Sequence, residues 1–370
     1  MKRLLWLDVA KGLAILIVIY FHFFRTYFEH GVLPPPDWSH FSAGLISALR
    51  LTWFKLSGLG FHAVGVFIIL SGWALMQSTA RRADKGVLSW SQWYRARLLR
   101  LYPMYWVAHL VYLISPFTAR FEKIDGRFIL SLLGLRFVDI TNNFYYLNAA
   151  WWYFTMLIQF YLIFPLLFRA ARKLGPWPFL LLACAIGFLT RYWLLVVCQA
   201  NGMWIQGGLA ICRTAGVRPR DGNRDLEQPA AGACRTLSPR RLWFVRRSDS
   251  LSGCPPVLPR PDQLHLVDLA TGGCCFLVLV GLAGIIARLR PLAKVIGVVG
   301  SFSYGIYLIH HPYVIWLGLR IREQPIWMFL LITLATLAVI SAWGILLERA
   351  INDLVTRLSR TGTKPAPGAS

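Results

Sequence analysis

Residues 7–24 read LDVAKGLAILIVIYFHFF, and this stretch decides the fold class of the chain. With its flanks it forms an apolar run over 8–28, which supplies the roughly 20 residues that a helix needs to cross a bilayer. It also carries Lys11 and His22 where polar side chains are costly. The sequence therefore predicts a membrane-spanning first helix that contains its own candidate chemistry.

The composition of the whole chain is that of a multi-pass membrane protein. Its 370 residues are 56% hydrophobic, 14% aromatic and 15% charged, with a mean hydropathy of +0.53. Soluble domains carry roughly a quarter charged residues, so these values exclude a soluble enzyme, a disordered chain and a secreted disulfide scaffold. The net charge of +23 does not indicate nucleic-acid binding, because most Lys and Arg lie in short clusters between apolar runs. We expect membrane lipids as partners, no nucleic acid, and no metal site, since the seven Cys lack metal-ligand spacing.

Eight apolar runs are candidates for membrane-spanning helices. They are 8–28, 61–80, 101–117, 149–168, 177–199, 269–287, 297–318 and 325–347. Two other stretches are too short or too charged to span, and we interpret 41–56 as interfacial and 128–137 as interfacial or re-entrant. The sequence therefore predicts an all-α, polytopic membrane helical bundle.

Basic residues predict the orientation, because cytoplasmic loops carry an excess of Lys and Arg. Basic clusters precede the first span and follow the second, fourth, sixth and eighth, so alternate loops are basic. Both termini are therefore predicted to be cytoplasmic, in the plasma (inner) membrane, and the loop 29–60 is predicted to lie outside. We expect residues 351–370 to form a disordered cytoplasmic tail.

Residues 213–265 break this pattern. Between Arg213 and Arg260 there are ten Arg, no Lys and six Pro, and apolar periodicity stops after Cys212. An extracytoplasmic loop is one interpretation. The other is a frame error in a GC-rich gene, because a one-base shift over residues 214–224 permits the apolar segment LPEFALGMAIG. We hypothesise that such an error replaced two spans of about 20 residues each, which preserves the parity of the loops.

Lys11 and His22 are the first candidate catalytic pair. They are eleven residues apart, so they lie on one helix face, about 16 Å apart along its axis. Asp8 lies three residues before Lys11 and can pair with it. A neutral histidine can remove a hydroxyl proton, because it titrates close to neutral pH. The competing interpretation is a hydrogen-bonded structural histidine with a lysine that extends to the interface, and spacing alone slightly favours it.

Arg97 and Arg100 form a second candidate set at the predicted cytoplasmic surface. They share a helix face at i and i+3. Arginine suits phosphate because its planar guanidinium donates hydrogen bonds in pairs. Contact with lipid headgroups is the alternative interpretation.

A third set lies in the seventh predicted span. Ser303, Tyr307 and His310 share one face at i, i+4 and i+7. His311 is adjacent to His310, so we expect the two imidazoles to face different directions.

Five motifs, in this order, resemble those of the membrane acyltransferase 3 family. They are LDVAKGLAILIVIYFH at 7–22, VGVFIILSGWAL at 64–75, YRARLLRLYPMYW at 94–106, WYFTMLIQFYLIFPLLF at 152–168 and SFSYGIYLIHHP at 301–312. Each motif alone is weakly specific, whereas the ordered set is fairly specific. The resemblance implies about ten transmembrane helices, within an acyltransferase domain over 1–350 that is interrupted at 213–265.

The resemblance also implies an activity and roles for the candidate residues. Members transfer an acyl group, usually acetyl from acetyl-CoA, to hydroxyls of carbohydrates, glycolipids or cell-envelope polysaccharide. The basic-x10-His motif carries over to Lys11 and His22 as catalytic residues, and the Arg-x-x-Arg motif to Arg97 and Arg100 near the CoA phosphates. The late motif carries over to Ser303, Tyr307 and His310 as substrate-binding residues.

Two departures from the family pattern affect the assignment. Many members have a Glu pair before the Gln-Phe-Tyr of the fourth span, where this chain has Leu157 and Ile158. The first motif has Lys11 in place of Arg. Both features are similar to the fucose-4-O-acetylase-like branch.

A transporter or flippase for a lipid-linked sugar is the rival hypothesis. It would use the same basic loops and aromatic belts. Matching discontinuous helices in two repeated halves would favour it, and the sequence contains no internal repeat.

Overall fold

The computed structural model describes residues 4–30, 45–115, 124–198, 261–321 and 323–361. This described part of the chain consists of helices and turns without a β-strand, which confirms the predicted all-α class. The α-helices are α1 Leu5–His30, α2 Leu45–Gly58, α3 Ala63–Asp84, α4 Trp90–Ile114, α5 Arg127–Leu133, α6 Ile140–Asn143, α7 Trp152–Leu174, α8 Pro176–Tyr192, α9 Pro261–Ile286, α10 Arg290–Ser301, α11 Ser303–Ile321 and α12 Ile326–Thr361.

Several helical segments are long and apolar enough to cross a membrane. Four pass this test within the described ranges, namely Leu5–Tyr27, Thr52–Asp84, Ala149–Leu174 and Ile326–Leu358, and the bent pair α10–α11 would be a fifth. Two shorter apolar helices, α8 and Gly272–Ile286, coincide with the fifth and sixth predicted spans. The polytopic bundle is confirmed, with four or five candidate spans in the described residues where the sequence predicted eight over the whole chain.

Three predicted boundaries need comment. The predicted span 101–117 lies in α4, where arginine and tyrosine side chains reduce the apolarity of the helix. The predicted interfacial stretch 41–56 is described from residue 45 as α2, whose end forms part of the candidate span Thr52–Asp84. Most of the anomalous stretch 213–265, up to residue 260, lies outside the described residues.

The prediction of one helix over 297–318 is wrong. The chain bends by 77° between α10 and α11, at Phe302. Gly300 and Ser301 precede the bend, and Gly/Ser pairs are a common site of sharp helix kinks. The bend lets α10 lie against the start of α1, while α11 runs beside the rest of it.

The predicted disordered tail 351–370 also needs correction over its first half. α12 continues without interruption to Thr361. Ile351, Val355 and Leu358 recur at helical spacing, and no Gly or Pro occurs between Gly344 and the end of α12, so nothing in the sequence stops the helix near residue 351.

The predicted interfacial or re-entrant stretch 128–137 forms α5 and the turn after it. The last three carbonyls of α5 accept hydrogen bonds from α4 side chains, since Tyr105, Trp106 and Tyr102 donate to the carbonyls of residues 131, 132 and 133 at 2.7, 3.1 and 2.9 Å. Tyr102 lies about 18 Å along α4 from Ile114, at 1.5 Å per residue. α5 therefore packs against the middle of α4, and with seven residues it is too short to span a bilayer.

α1 is the central helix of the bundle. It packs against α10, α11, α9 and α3, and most of its inward side chains are buried. Its contact with α10 is made backbone to backbone, because a Cβ atom on Gly300 would overlap the Asp8 carbonyl and lie 2.6 Å from the backbone nitrogen of Gly12. Small residues at such crossings let membrane helices approach closely.

Candidate active site

Three histidines meet where α1 crosses α11. The ring centroid of His22 lies 5.4 Å from that of His310 and 4.8 Å from that of His311, and the last two are 6.0 Å apart. His310 is fully buried, whereas His22 and His311 are partly exposed. The sequence predicted His22 and His310 separately, and the fold brings them into contact.

The sequence predicted that the adjacent His310 and His311 face different directions. The two side chains do leave α11 in different directions, about 100° apart. However, His22 lies in the gap between them and contacts both. The two adjacent histidines were the feature of the sequence that could have predicted this contact, because a side chain from a neighbouring helix can touch both rings.

Close packing next to the histidine cluster fixes the position of His22 along the axis of α11. Gly318 lies against Thr26, where a Cβ atom would come within 2.9 Å of the threonine methyl group. The Thr26 hydroxyl donates to the carbonyl of His22 at 2.8 Å. The same contact therefore ties the backbone of His22 to the register of the two helices.

A proline inside α11 secures the other side of the cluster. Pro312 has no N–H, so the carbonyl of Leu308 lacks its usual partner four residues later. Asn148 Nδ2 and Trp151 Nε1 donate to that carbonyl at 3.2 and 2.9 Å. The segment before α7 is therefore hydrogen-bonded to α11 within one turn of His310 and His311.

The hydrogen bonds of His310 determine its tautomer. Its Nδ1 lies 2.6 Å from the carbonyl oxygen of Tyr307. A carbonyl can only accept, so Nδ1 carries the proton and donates it. Nε2 is then a lone-pair acceptor in the neutral ring, and it is buried without a hydrogen-bond partner among the described residues.

The other predicted residues of α1 and α11 lie around this cluster. Tyr307 packs its ring against His310 at 5.3 Å, which confirms that they share a face, and its hydroxyl donates to the carbonyl of Ala150 at 2.8 Å. Ser303 is half-buried at the first residue of α11. Lys11 and Asp8 are half-buried at the α10 end of α1, and neither lacks a partner. Substrate binding by Ser303, Tyr307 and His310 stays a prediction.

Arg97 and Arg100 lie in the first half of α4, apart from the histidines. The guanidinium of Arg97 sits 5.6 Å from the ring centroid of Trp93, and its Nε is buried without a hydrogen-bond partner in the described part of the chain. Both arginines are within electrostatic range of Tyr161 on α7. Their predicted role toward CoA phosphates stays a prediction.

The sequence interpretation missed one buried carboxylate. Glu348 on α12 is 6% exposed, and its Oε2 accepts from the backbone N–H of Gly305 at 2.8 Å. It is also within electrostatic range of Arg100. Glu348 directly follows the predicted span 325–347, and an acidic residue at the end of an apolar run was the signal that could have identified it.

Comparison with known proteins places the chain in a family. The family model of an acyltransferase domain matches residues 4–212, more than half of the chain. The match contains Lys11, His22, Arg97 and Arg100, and it ends at the last residue before the arginine-rich stretch. Comparison with curated proteins and with solved structures gives no match. The chain belongs to the membrane acyltransferase 3 family and is a multi-pass membrane acyltransferase.

Proposed function

We propose that this protein transfers an acyl group, most simply acetyl, from acyl-CoA to a hydroxyl of a carbohydrate, such as a glycolipid or a cell-envelope polysaccharide. The observation that carries the proposal is the position of His22, a partly exposed imidazole held between two others inside an acyltransferase domain. An imidazole in this setting can act as a general base toward an alcohol.

The reaction needs one proton acceptor and one leaving group. His22 takes the proton of the acceptor hydroxyl as its oxygen attacks the thioester carbonyl carbon. The carbon–sulfur bond breaks, and the CoA sulfur leaves with the electron pair and receives the proton from His22. The products are an O-acyl ester and free CoA, and His22 returns to its neutral form.

Arg97 and Arg100 are the proposed binding groups for the CoA phosphates. The buried Nε of Arg97 has no hydrogen-bond partner among the described residues, and an unsatisfied buried donor costs about 1–3 kcal/mol. A phosphate oxygen would satisfy it with a charge-assisted hydrogen bond. No metal is required by this chemistry.

The proposed orientation puts both termini and these arginines on the cytoplasmic side of the plasma (inner) membrane, where acyl-CoA is made. It rests on the alternation of basic loops along the sequence. The ion pair between Arg172 and Asp84, 2.7 Å apart, supports it, because it joins the ends of α3 and α7 that are both predicted to be cytoplasmic.

Acetyl transfer in reconstituted vesicles tests the proposal. The full chain is placed in liposomes with radioactive acetyl-CoA and purified envelope polysaccharide, and alkali-labile label on the glycan is measured. We expect ester-linked label that depends on the protein. An unlabelled glycan, together with movement of a lipid-linked sugar across the bilayer, would instead favour a flippase.

A further inference from the structure

His310 contains a buried hydrogen-bond acceptor that nothing in the described structure satisfies. The Tyr307 carbonyl accepts the hydrogen bond that Nδ1 donates, and the lone pair of Nε2 has no donor among the described residues. A buried polar atom in this state costs about 1–3 kcal/mol, so a group that donates to it during function would recover that free energy.

His22 is the donor that the geometry offers. Two imidazoles joined by an N–H···N hydrogen bond of about 3 Å have ring centres about 5.3 Å apart, and the centroids of His22 and His310 are 5.4 Å apart. Alignment of its N–H with Nε2 requires a rotation of the His22 ring, which is partly exposed and tilted by 44° from the His310 ring.

Exposure separates the roles of the two rings. His310 is 0% exposed, so it cannot touch the hydroxyl of an acyl-acceptor substrate in this arrangement. His22 is partly exposed and can present its second nitrogen outward. When a base is oriented by a third group, that group fixes its tautomer and stabilises its protonated form.

We infer that His310 is a positioning residue for His22, accepting a hydrogen bond at Nε2 so that the opposite nitrogen of His22 is the free base. The Tyr307 carbonyl holds the His310 ring in this tautomer, because it accepts the hydrogen bond from Nδ1. As His22 gains the hydroxyl proton, its second N–H remains bonded to His310, which spreads the positive charge. This inference rests on the proposed base role of His22.

Two substitutions separate this role from a structural one. His310→Asn can keep the donor to the Tyr307 carbonyl but removes the acceptor at the Nε2 position. His310→Gln can place an amide oxygen near that position but gives up the bond to Tyr307. A structural histidine would tolerate Asn at least as well as Gln, whereas a positioning histidine requires the opposite order.

Kinetics in the full chain give the first readout. We expect His310→Asn to lower kcat by about 100-fold, with KM for acetyl-CoA nearly unchanged, and His310→Gln to retain at least about a tenth of the wild-type kcat. The reverse order, or equal losses in two variants that remain folded in detergent, would overturn the inference. If His22→Asn is inactive while His310→Asn is fully active, only this inference fails. If His22→Asn is fully active, the proposed base role of His22 fails with it, whereas a wild-type protein without acetyl transfer would refute the proposed function.

Nitrogen NMR of the full chain labelled in its histidines is the second readout, and it does not depend on activity. We expect His310 to have a protonated Nδ1 and an unprotonated Nε2, and we expect its Nε2 signal to shift in His22→Asn. A His310 ring protonated at Nε2, or an Nε2 signal unaffected by His22→Asn, would overturn the inference even if the His310 variants fail to fold.

Discussion

His22 combines two properties that individual side chains inside a membrane rarely have. It is a titratable group within an apolar helix, and it contacts two further imidazoles. Polar residues in such positions are costly and mark function by default. The sequence was sufficient to select His22 and Lys11, because both interrupt the apolar run of α1. It could not predict that His22 contacts His310 and His311, because these contacts join residues nearly 290 positions apart.

Lys11 should act through its charge. We expect Lys11→Arg to retain most acetyl transfer, since the positive charge survives, whereas Lys11→Ala should lower it by about 10- to 100-fold, the loss of one charge-assisted interaction of about 1.5–3 kcal/mol. Initial rates in proteoliposomes, normalised to inserted protein, measure both. Equal losses in the two variants would show that the shape of lysine matters and not its charge alone.

Arg97 should contribute to donor binding and not to the chemical step. Lysine cannot donate in pairs, so Arg97→Lys should raise KM for acetyl-CoA about 10-fold with kcat unchanged. Arg95→Lys is a matched control, because Arg95 is exposed on the same helix. A fall in kcat alone for Arg97→Lys, or the same rise in KM for Arg95→Lys, would contradict the assignment.

The crossing of α1 and α10 depends on glycine. The bend at Phe302 that creates this crossing lies inside one apolar run over 297–318, so the hydropathy of the sequence does not predict it. The Gly300–Ser301 pair permits the bend, and the close approach of Gly300 to Asp8 is a long-range contact that local sequence does not contain. By contrast, the positions of α1, α7 and the first two thirds of α12 follow from apolar runs that local sequence contains in full.

Gly300→Ala should therefore destabilise the protein. Its added methyl group would overlap the backbone of α1, at a cost near the upper end of the 1–3 kcal/mol typical of overpacking, or about 3 kcal/mol. Gly65→Ala is the matched control, because a Cβ atom there meets nothing within 4 Å. Thermal unfolding in detergent should show a clearly lower Tm for Gly300→Ala and an unchanged Tm for Gly65→Ala. Equal Tm values for the two variants would contradict this prediction, because they would mean that α1 and α10 can move apart at little cost.

At the scale of the whole molecule, the described residues contain fewer candidate spans than the sequence predicted. The family match ends at residue 212, and the apolar pattern of the sequence stops at the same point. Composition and loop charges were enough to predict an all-α polytopic protein. They could not give the number of spans, because helices such as α4 mix arginine with apolar residues, and the arginine-rich segment 213–260 has no apolar periodicity.

The frame-error hypothesis makes a prediction at the level of the gene. Resequencing the region that encodes 213–265 should reveal an inserted or deleted base near codon 213. The restored frame should then encode apolar segments of about 20 residues, sufficient for two spans. An intact frame, or peptides of the arginine-rich sequence detected by mass spectrometry in the source cells, would reject the hypothesis.

Acetyl transfer by His22→Asn in the full chain, compared with wild type in the same proteoliposomes, is the decisive measurement. Asparagine cannot accept a hydroxyl proton, so we expect kcat to fall by about 10²- to 10⁴-fold, the usual contribution of a general base. Insertion and thermal stability should remain close to wild type. A His22→Asn protein that is folded, inserted and transfers acetyl groups at the wild-type rate would contradict the assignment of His22 as the base.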